Sequence, residues 1–211
     1  MERTQIEVTK KLLDIDTIKI QPLSPFTWAS GWKSPIYCDN RKILSFPETR
    51  SFIRDKFVEI IQDKYPEAEV IAGVATGAIA HGVLVADKLG LPFIYIRSKP
   101  KGHGLENLIE GDLKPGQKVV VIEDLVSTGE SSLKAAEAVN NFGGEVIGML
   151  SIFTYNFDVA KEKFKKANIE LTPLSRYQVL IDTALEAGEI SKDQIETLME
   201  WREDPANWGK K

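Results

Sequence analysis

Apolar positions along the chain follow two rhythms. Ile6, Leu12, Leu13 and Ile15 recur at helical spacing, which predicts an amphipathic helix at the amino terminus, and 18–20 reads as a short strand after it. The next stretch, 25–41, is rich in Pro, Ser and Trp and has no helical period, so short strands with tight corners are expected. After Pro47 the helical spacing returns through Phe52, Ile53, Phe57, Ile60 and Ile61 and ends near Pro66. The rhythm then changes. Continuous apolar runs at 70–74, 92–96, 119–122 and 146–153 alternate with helical segments at 79–89, 130–142 and 159–167, and 169–171 reads as a last short strand. Gly90 and Gly143-Gly144 stop the first two of these helices. Apolar runs of this kind, alternating with helices, predict an α/β fold with a central, mostly parallel sheet flanked by helices and joined by right-handed crossovers. In the tail, Ser175 is placed to cap a helix over 177–187 that stops at Gly188. Ser191-Lys-Asp-Gln194 reads as a capping box for a last helix to about Trp201. The pattern divides the chain into an amino-terminal segment (1–45), a core (46–172) and carboxy-terminal helices (173–211) packed on the core or on the first segment.

Composition narrows the function classes. With 43 % hydrophobic and 27 % charged residues in 211, the chain can bury a core without staples. Its formal charge of −4 supplies no basic field for nucleic acid or an anionic membrane, so neither is expected as a partner. Cys38 is the single cysteine and there are two histidines, which leaves no disulfide and no metal-ligand set and points to the cytoplasm. The first ten residues mix charge with apolar positions and read as neither a signal peptide nor a membrane anchor.

Three places carry candidate chemistry. In Val119-Val-Val-Ile-Glu-Asp-Leu-Val-Ser-Thr-Gly-Glu-Ser-Ser-Leu133 a buried strand runs into two carboxylates, then a hydroxyl- and Gly-containing turn opens a helix. Loop amides and a helix amino terminus can cradle a phosphate, and a ribose could stand between that phosphate and Glu123 and Asp124, its hydroxyls donating to the acids. The same acids could equally be charges that favour the helix dipole. The second place is 97–117, too long for an ordinary connection. It begins Arg97-Ser-Lys-Pro-Lys-Gly-His-Gly104, with cations and no acid, and suits a lid over a polyanion or a solvated basic loop. The third is Gly73-Val-Ala-Thr-Gly-Ala-Ile-Ala-His-Gly82. Gly77 and Gly82 have P-loop spacing, but Val83 and Leu84 stand where Lys and Ser/Thr are needed, leaving a weak anion site at 75–78. His81, among apolar neighbours, reads as a packed histidine, and Cys38 as structural.

The segment 120–131 resembles the phosphoribosyl diphosphate motif of the type I phosphoribosyltransferases. The stretch Phe26-Thr-Trp-Ala-Ser-Gly-Trp-Lys-Ser-Pro-Ile-Tyr37, with Asp39 and Arg41, is similar to the hood of the orotate phosphoribosyltransferases, and Arg97-x3-Lys101-x-His103-Gly104 to their catalytic loop. The resemblance implies the type I phosphoribosyltransferase fold with a small hood, and magnesium-dependent transfer of phosphoribose from 5-phosphoribosyl 1-diphosphate to orotate. It further implies that Glu123, Asp124 and Lys101 are catalytic. Arg97, Lys101, His103, Glu123, Asp124, Leu125, Val126, Ser127, Thr128, Gly129, Glu130 and Ser131 would hold phosphoribosyl diphosphate, and Ser127, Tyr37 and Cys38 orotate. Magnesium would ride mainly on substrate oxygens, and a homodimer would share the Arg97 loop across subunits. Departures fall together on substrate-side contacts, while the diphosphate and ribose motifs are intact. Ala29, Ser98 and Thr76-Gly77 stand where some members carry lysines, and Thr154-Tyr-Asn-Phe157 where they place an arginine for the orotate carboxylate; neither Lys33 nor Arg41 is assigned to that contact. A purine phosphoribosyltransferase should lack the hood. A phosphoribosyl diphosphate-sensing regulator should be basic and need no Lys101-x-His103 loop.

Overall fold

The computed structural model describes residues 2–28, 31–99 and 108–209. Helix α1 (Glu2–Asp14) leads into β1 (Ile18–Ile20), and then come β2 (Phe26–Thr27), β3 (Lys33–Ser34) and β4 (Ile36–Cys38). These four short strands form two small antiparallel ladders, β1 with β4 and β2 with β3. They make the hood. A 3-10 turn over Asn40–Ser45 connects it to α2 (Pro47–Lys64), which starts on Pro47 where a missing N–H costs nothing. The alternating part follows as β5 (Val70–Val74), α3 (Ile79–Leu89), β6 (Phe93–Ile96), β7 (Ile109–Glu110), β8 (Lys118–Val126), α4 (Glu130–Phe142), β9 (Glu145–Thr154), α5 (Asp158–Lys166) and β10 (Leu171–Arg176). Helices α6 (Tyr177–Glu186) and α7 (Lys192–Glu203) close the described chain. Among the described residues no helix is long and apolar enough to cross a membrane.

The six-stranded sheet has the order β10-β9-β8-β5-β6-β7, parallel except for the antiparallel edge β7. From β5 the chain moves outward through β6 to β7, then returns to β8 and moves the other way through β9 to β10. The reversal leaves a crevice beyond the carboxyl ends of β5 and β8, which is where open α/β sheets bind ligands. Strand residues alternate between the two faces. Ile71, Val120, Ile122, Leu150 and Ile152 join one core with α1, α2, α3, the hood and the carboxy-terminal helices; Val70, Ala72, Val119, Val121 and Met149 join a second core under α4 and α5.

Several boundaries differ from the sequence pattern. The strand expected to end at Leu171 runs on to Arg176 because β9 supplies partners for Ser175 and Arg176 at Phe153 and Thr154. Pro173 is tolerated because β10 is an edge. Ser175 is therefore not the cap of α6: its hydroxyl lies 2.6 Å from Thr9 Oγ1 of α1, and Arg176 occupies the N-cap with no side-chain bond. The connection 97–117 contains β7, which pairs Tyr95 with Glu110 and Ile96 with Ile109. The capping box of α7 forms as expected between Ser191 and Gln194.

Carboxy-terminal residues also support the hood. Trp201 is fully buried and donates through Nε1 to the Lys33 carbonyl at 3.1 Å, and Trp28 donates to the Ile36 carbonyl at 3.0 Å. The rings of Trp28, Tyr155, Phe157, Tyr177 and Trp201 pack with centroids 5.1–5.7 Å apart, in the range where tilted and edge contacts are favourable.

Candidate active site

The acidic pair lies inside β8, not after it. The long strand β9 keeps pairing with β8 past the acids, Glu123 with Ser151, Leu125 with Phe153 and Val126 with Thr154, so the turn itself is only Ser127-Thr-Gly129. Val126 is fully buried, and its carbonyl accepts from Thr154 Oγ1 at 3.1 Å and Tyr155 N at 3.2 Å. Gly129 ends the turn at φ +76, a left-handed conformation, and a Cβ there would lie 2.9 Å from the Phe164 ring. Both facts require glycine. Gly129 is also the N-cap of α4 and has no side chain to bond the first-turn amides, so these point at the crevice uncapped.

Glu123 is 4 % exposed. Its carboxylate accepts from Ser132 Oγ at 2.9 Å and from Asp124 N at 3.0 Å. Burial first, and then the adjacent Asp124 charge, push its carboxyl well above the usual carboxylate range; the Ser132 bond works the other way. Ser132 was not singled out by sequence reasoning, although the spacing of nine residues puts it one helical turn into α4, facing back at the strand. Asp124 is half-buried, and its carboxylate lies against the backbone of Gly77, the turn after β5: a Cβ on Gly77 would overlap the Asp124 carboxyl group. The P-loop-like glycine thus serves close approach. The Ala75–Thr76 peptide in this turn is cis. The amides of Ala75 and Ala78 are spent on the carbonyls of Ile96 and Val74.

A cleft of about 700 Å³ opens beside the turn, lined by Val74, Ala75, Arg97, Ser98, Thr128, Glu130 and Ser131 among others. Arg97 lines it together with Thr128 of the turn, while Asp124 lies outside its lining, on the side of the hood. Within the chain Arg97 pairs with Glu110 at 3.1 Å, and its amide donates to the Leu108 carbonyl at 2.7 Å, which holds the two ends of the basic segment together. Lys101 and His103 lie outside the described residues. Glu130 is exposed and paired with Lys134 at 2.8 Å.

On the hood, Tyr37 is exposed with its ring 5.6 Å from that of Phe26, and the half-buried Cys38 donates through Sγ to Asn40 Oδ1 at 3.5 Å. Burial, then the charges of Asp124 and Asp39, push the Cys38 thiol up. Arg41 forms a two-pronged pair with Asp39 at 2.6 and 3.0 Å, and Lys33 reaches Thr27 at 2.8 Å. After β9, Tyr155 belongs to the aromatic cluster and Arg202 of α7 donates to the Asn156 carbonyl at 2.7 Å. His81 is buried, and burial lowers its imidazole.

The model of the phosphoribosyl transferase domain matches residues 41–172, which run from Arg41 at the foot of the hood through the acidic pair to β10. A protein of Porphyromonas gingivalis named orotate phosphoribosyltransferase is 57 % identical over 202 residues, 96 % of each chain. The chain belongs to the orotate phosphoribosyltransferase family. A Streptococcus pyogenes protein of the same name is 52 % identical across 96 % of this chain and 97 % of its own. The crystal structure of the orotate phosphoribosyltransferase from Aeropyrum pernix superposes with a TM-score of 0.75 at 26 % identity, covering 87 % of this chain and 99 % of that one. The type I phosphoribosyltransferase fold follows from the matched domain together with the doubly wound sheet. In this phosphoribosyltransferase the matched segment supplies the crevice, and the hood strands precede it in the chain.

Proposed function

We infer that the protein transfers the phosphoribosyl group of 5-phosphoribosyl 1-diphosphate to orotate, giving orotidine 5′-phosphate and diphosphate for UMP synthesis. The observation that carries this reading is the junction at the sheet's reversal point. An acidic pair and an uncapped helix amino terminus stand side by side there, beneath a hood built by residues absent from the generic domain.

Each group has a task that its chemistry fits. The amides and hydroxyls of Ser127, Thr128, Gly129, Glu130 and Ser131 receive the 5′-phosphate at the positive end of α4. Leu125 and Val126 act through the strand that aims this turn. The ribose 2′- and 3′-hydroxyls donate to Glu123 and Asp124, whose charge steadies the cationic ring as the C1′–O bond breaks and the bond to orotate N1 forms. Arg97, Lys101 and His103 meet the diphosphate. The backbone at Tyr37 and Cys38, with Ser127, meets the pyrimidine edge.

Magnesium is the implied metal. Among the described residues no cluster of three or more His, Cys, Asp or Glu side chains could hold an ion, while Asp124 offers hard carboxylate oxygens beside the ribose position. This donor set fits a magnesium that arrives on diphosphate and ribose oxygens, with Asp124 contributing at most one ligand. When bound, the ion neutralises diphosphate charge. The chain's own residues orient the ribose and hold the base. The soluble anionic substrates and the lone cysteine support a cytoplasmic setting.

The test is direct. With magnesium, phosphoribosyl diphosphate and orotate, the protein should consume orotate absorbance and leave adenine, guanine and uracil untouched. Turnover of a purine without orotate turnover would sink the reading.

We also assign Arg97 to a site shared across a homodimer. Arg97→Ala and Asp124→Asn subunits, each inactive alone, should regain up to about a quarter of wild-type activity after exchange into mixed dimers, if one intact site forms per mixed dimer. Mixed dimers without activity would place the loop over its own subunit.

A further inference from the structure

Base and ribose must meet with reacting atoms about 3–3.5 Å apart, and in this fold they are held by parts of the chain far apart in sequence. The ribose belongs to β8; the base belongs to the hood. Asn40 stands where the two surfaces touch. It is 1 % exposed, and its side-chain Nδ2 donates to the Asp124 backbone carbonyl at 2.6 Å across 84 residues of sequence. Its Oδ1 accepts from Cys38 Sγ on β4 at 3.5 Å. His81, buried on α3, lies against the backbone of Asn40 itself. A single short amide thus bonds the strand that carries the catalytic acid and the strand that presents the base, and its burial leaves it little room for another rotamer.

We propose that Asn40 is a positioning residue that sets the distance between the base held at Tyr37 and Cys38 and the ribose held at Asp124. It touches neither substrate. Loss of its bond frees the hood to move relative to Asp124, so both substrates still bind but the reacting atoms meet less often. The cost falls on the chemical step. A displacement near 1 Å can cost about 10²-fold in rate. This proposal rests on the orotate reading above.

Wild-type protein is compared with Asn40→Ala and Asn40→Gln by rapid-quench single turnover, by calorimetric affinity for phosphoribosyl diphosphate and for orotidine 5′-phosphate, and by thermal melting. Asn40→Ala should lower the single-turnover rate roughly 10- to 100-fold while both affinities stay within about threefold. Asn40→Gln keeps the amide but is one methylene too long, so its rate should fall between those of Ala and wild type. A rate equal to wild type in the folded fraction of Asn40→Ala, or a loss confined to affinity, would overturn the proposal. If Asn40→Ala does not fold, Asn40→Gln decides alone: a reduced rate with intact affinities supports the proposal, and a wild-type rate overturns it. Wild-type protein that turns over a purine in place of orotate would remove the orotate reading only, and the same rate comparison would then be made with that base.

Discussion

Gly77→Ala is expected to lower turnover by about 10³-fold while leaving the protein folded, with a melting temperature within a few degrees of wild type. A methyl group on Gly77 would occupy the space of the Asp124 carboxyl group. Backbone cannot yield there without disturbing the end of β5, but the Asp124 side chain can rotate, so little stability is lost. The rotation takes the carboxylate away from the ribose and from the cationic ring. Removing one preorganised electrostatic contact in an active site costs about 10²–10³-fold, and a carboxylate turned into the base site would also obstruct orotate. Steady-state kinetics with melting curves check this. Wild-type turnover in Gly77→Ala would mean that Asp124 does not act from the position it occupies.

Glu123→Gln should move stability and activity in opposite directions. The Glu123 carboxyl is held well above its ordinary value by burial and by Asp124. A native state that keeps this proton longer than the unfolded chain is favoured by it below the unfolded pKa of about 4.3, and the advantage is lost as pH rises through the folded value. As pH rises the folded wild type is therefore pressed toward a charge that burial opposes; glutamine is not. Its amide can still accept from Asp124 N or face the Ser132 hydroxyl. The variant should melt roughly 2–4 °C higher than wild type at pH 8, as about 1 kcal/mol does for a chain of this size, with the difference fading toward pH 4. Turnover should fall about 10²- to 10³-fold, because a neutral amide neither draws the ribose hydroxyl as strongly nor offsets ring charge. A lower melting temperature at pH 8 would show that the carboxylate stabilises the fold.

The sheet was legible in the sequence because buried parallel strands are continuous apolar runs, and the acidic pair, the Ser127-Thr-Gly129 turn and the start of α4 follow one another locally. Strand ends were less so. Glu123 and Asp124 interrupt the apolar run of β8, and Pro173 looks like a breaker in β10, yet pairing with β9 carries both strands onward. The role of Gly77 also lies beyond local pattern, since its neighbour is Asp124 on another strand. The same holds for Asn40, whose partner is 84 residues away, and for Trp201, which ties α7 to the Lys33 carbonyl. The basic segment read as a lid or a solvated loop because of its length and charge; β7 within the connection adds an edge strand whose two residues gave no apolar run.

The position of bound product tests the roles of the acidic pair and the hood most directly. A crystal structure with orotidine 5′-phosphate should place the phosphate on the amides of Thr128 to Ser131, the ribose hydroxyls on Glu123 and Asp124, and the pyrimidine edge against the backbone at Tyr37 and Cys38. A nucleotide bound with its ribose away from the acidic pair, or with its base outside the hood, would contradict it.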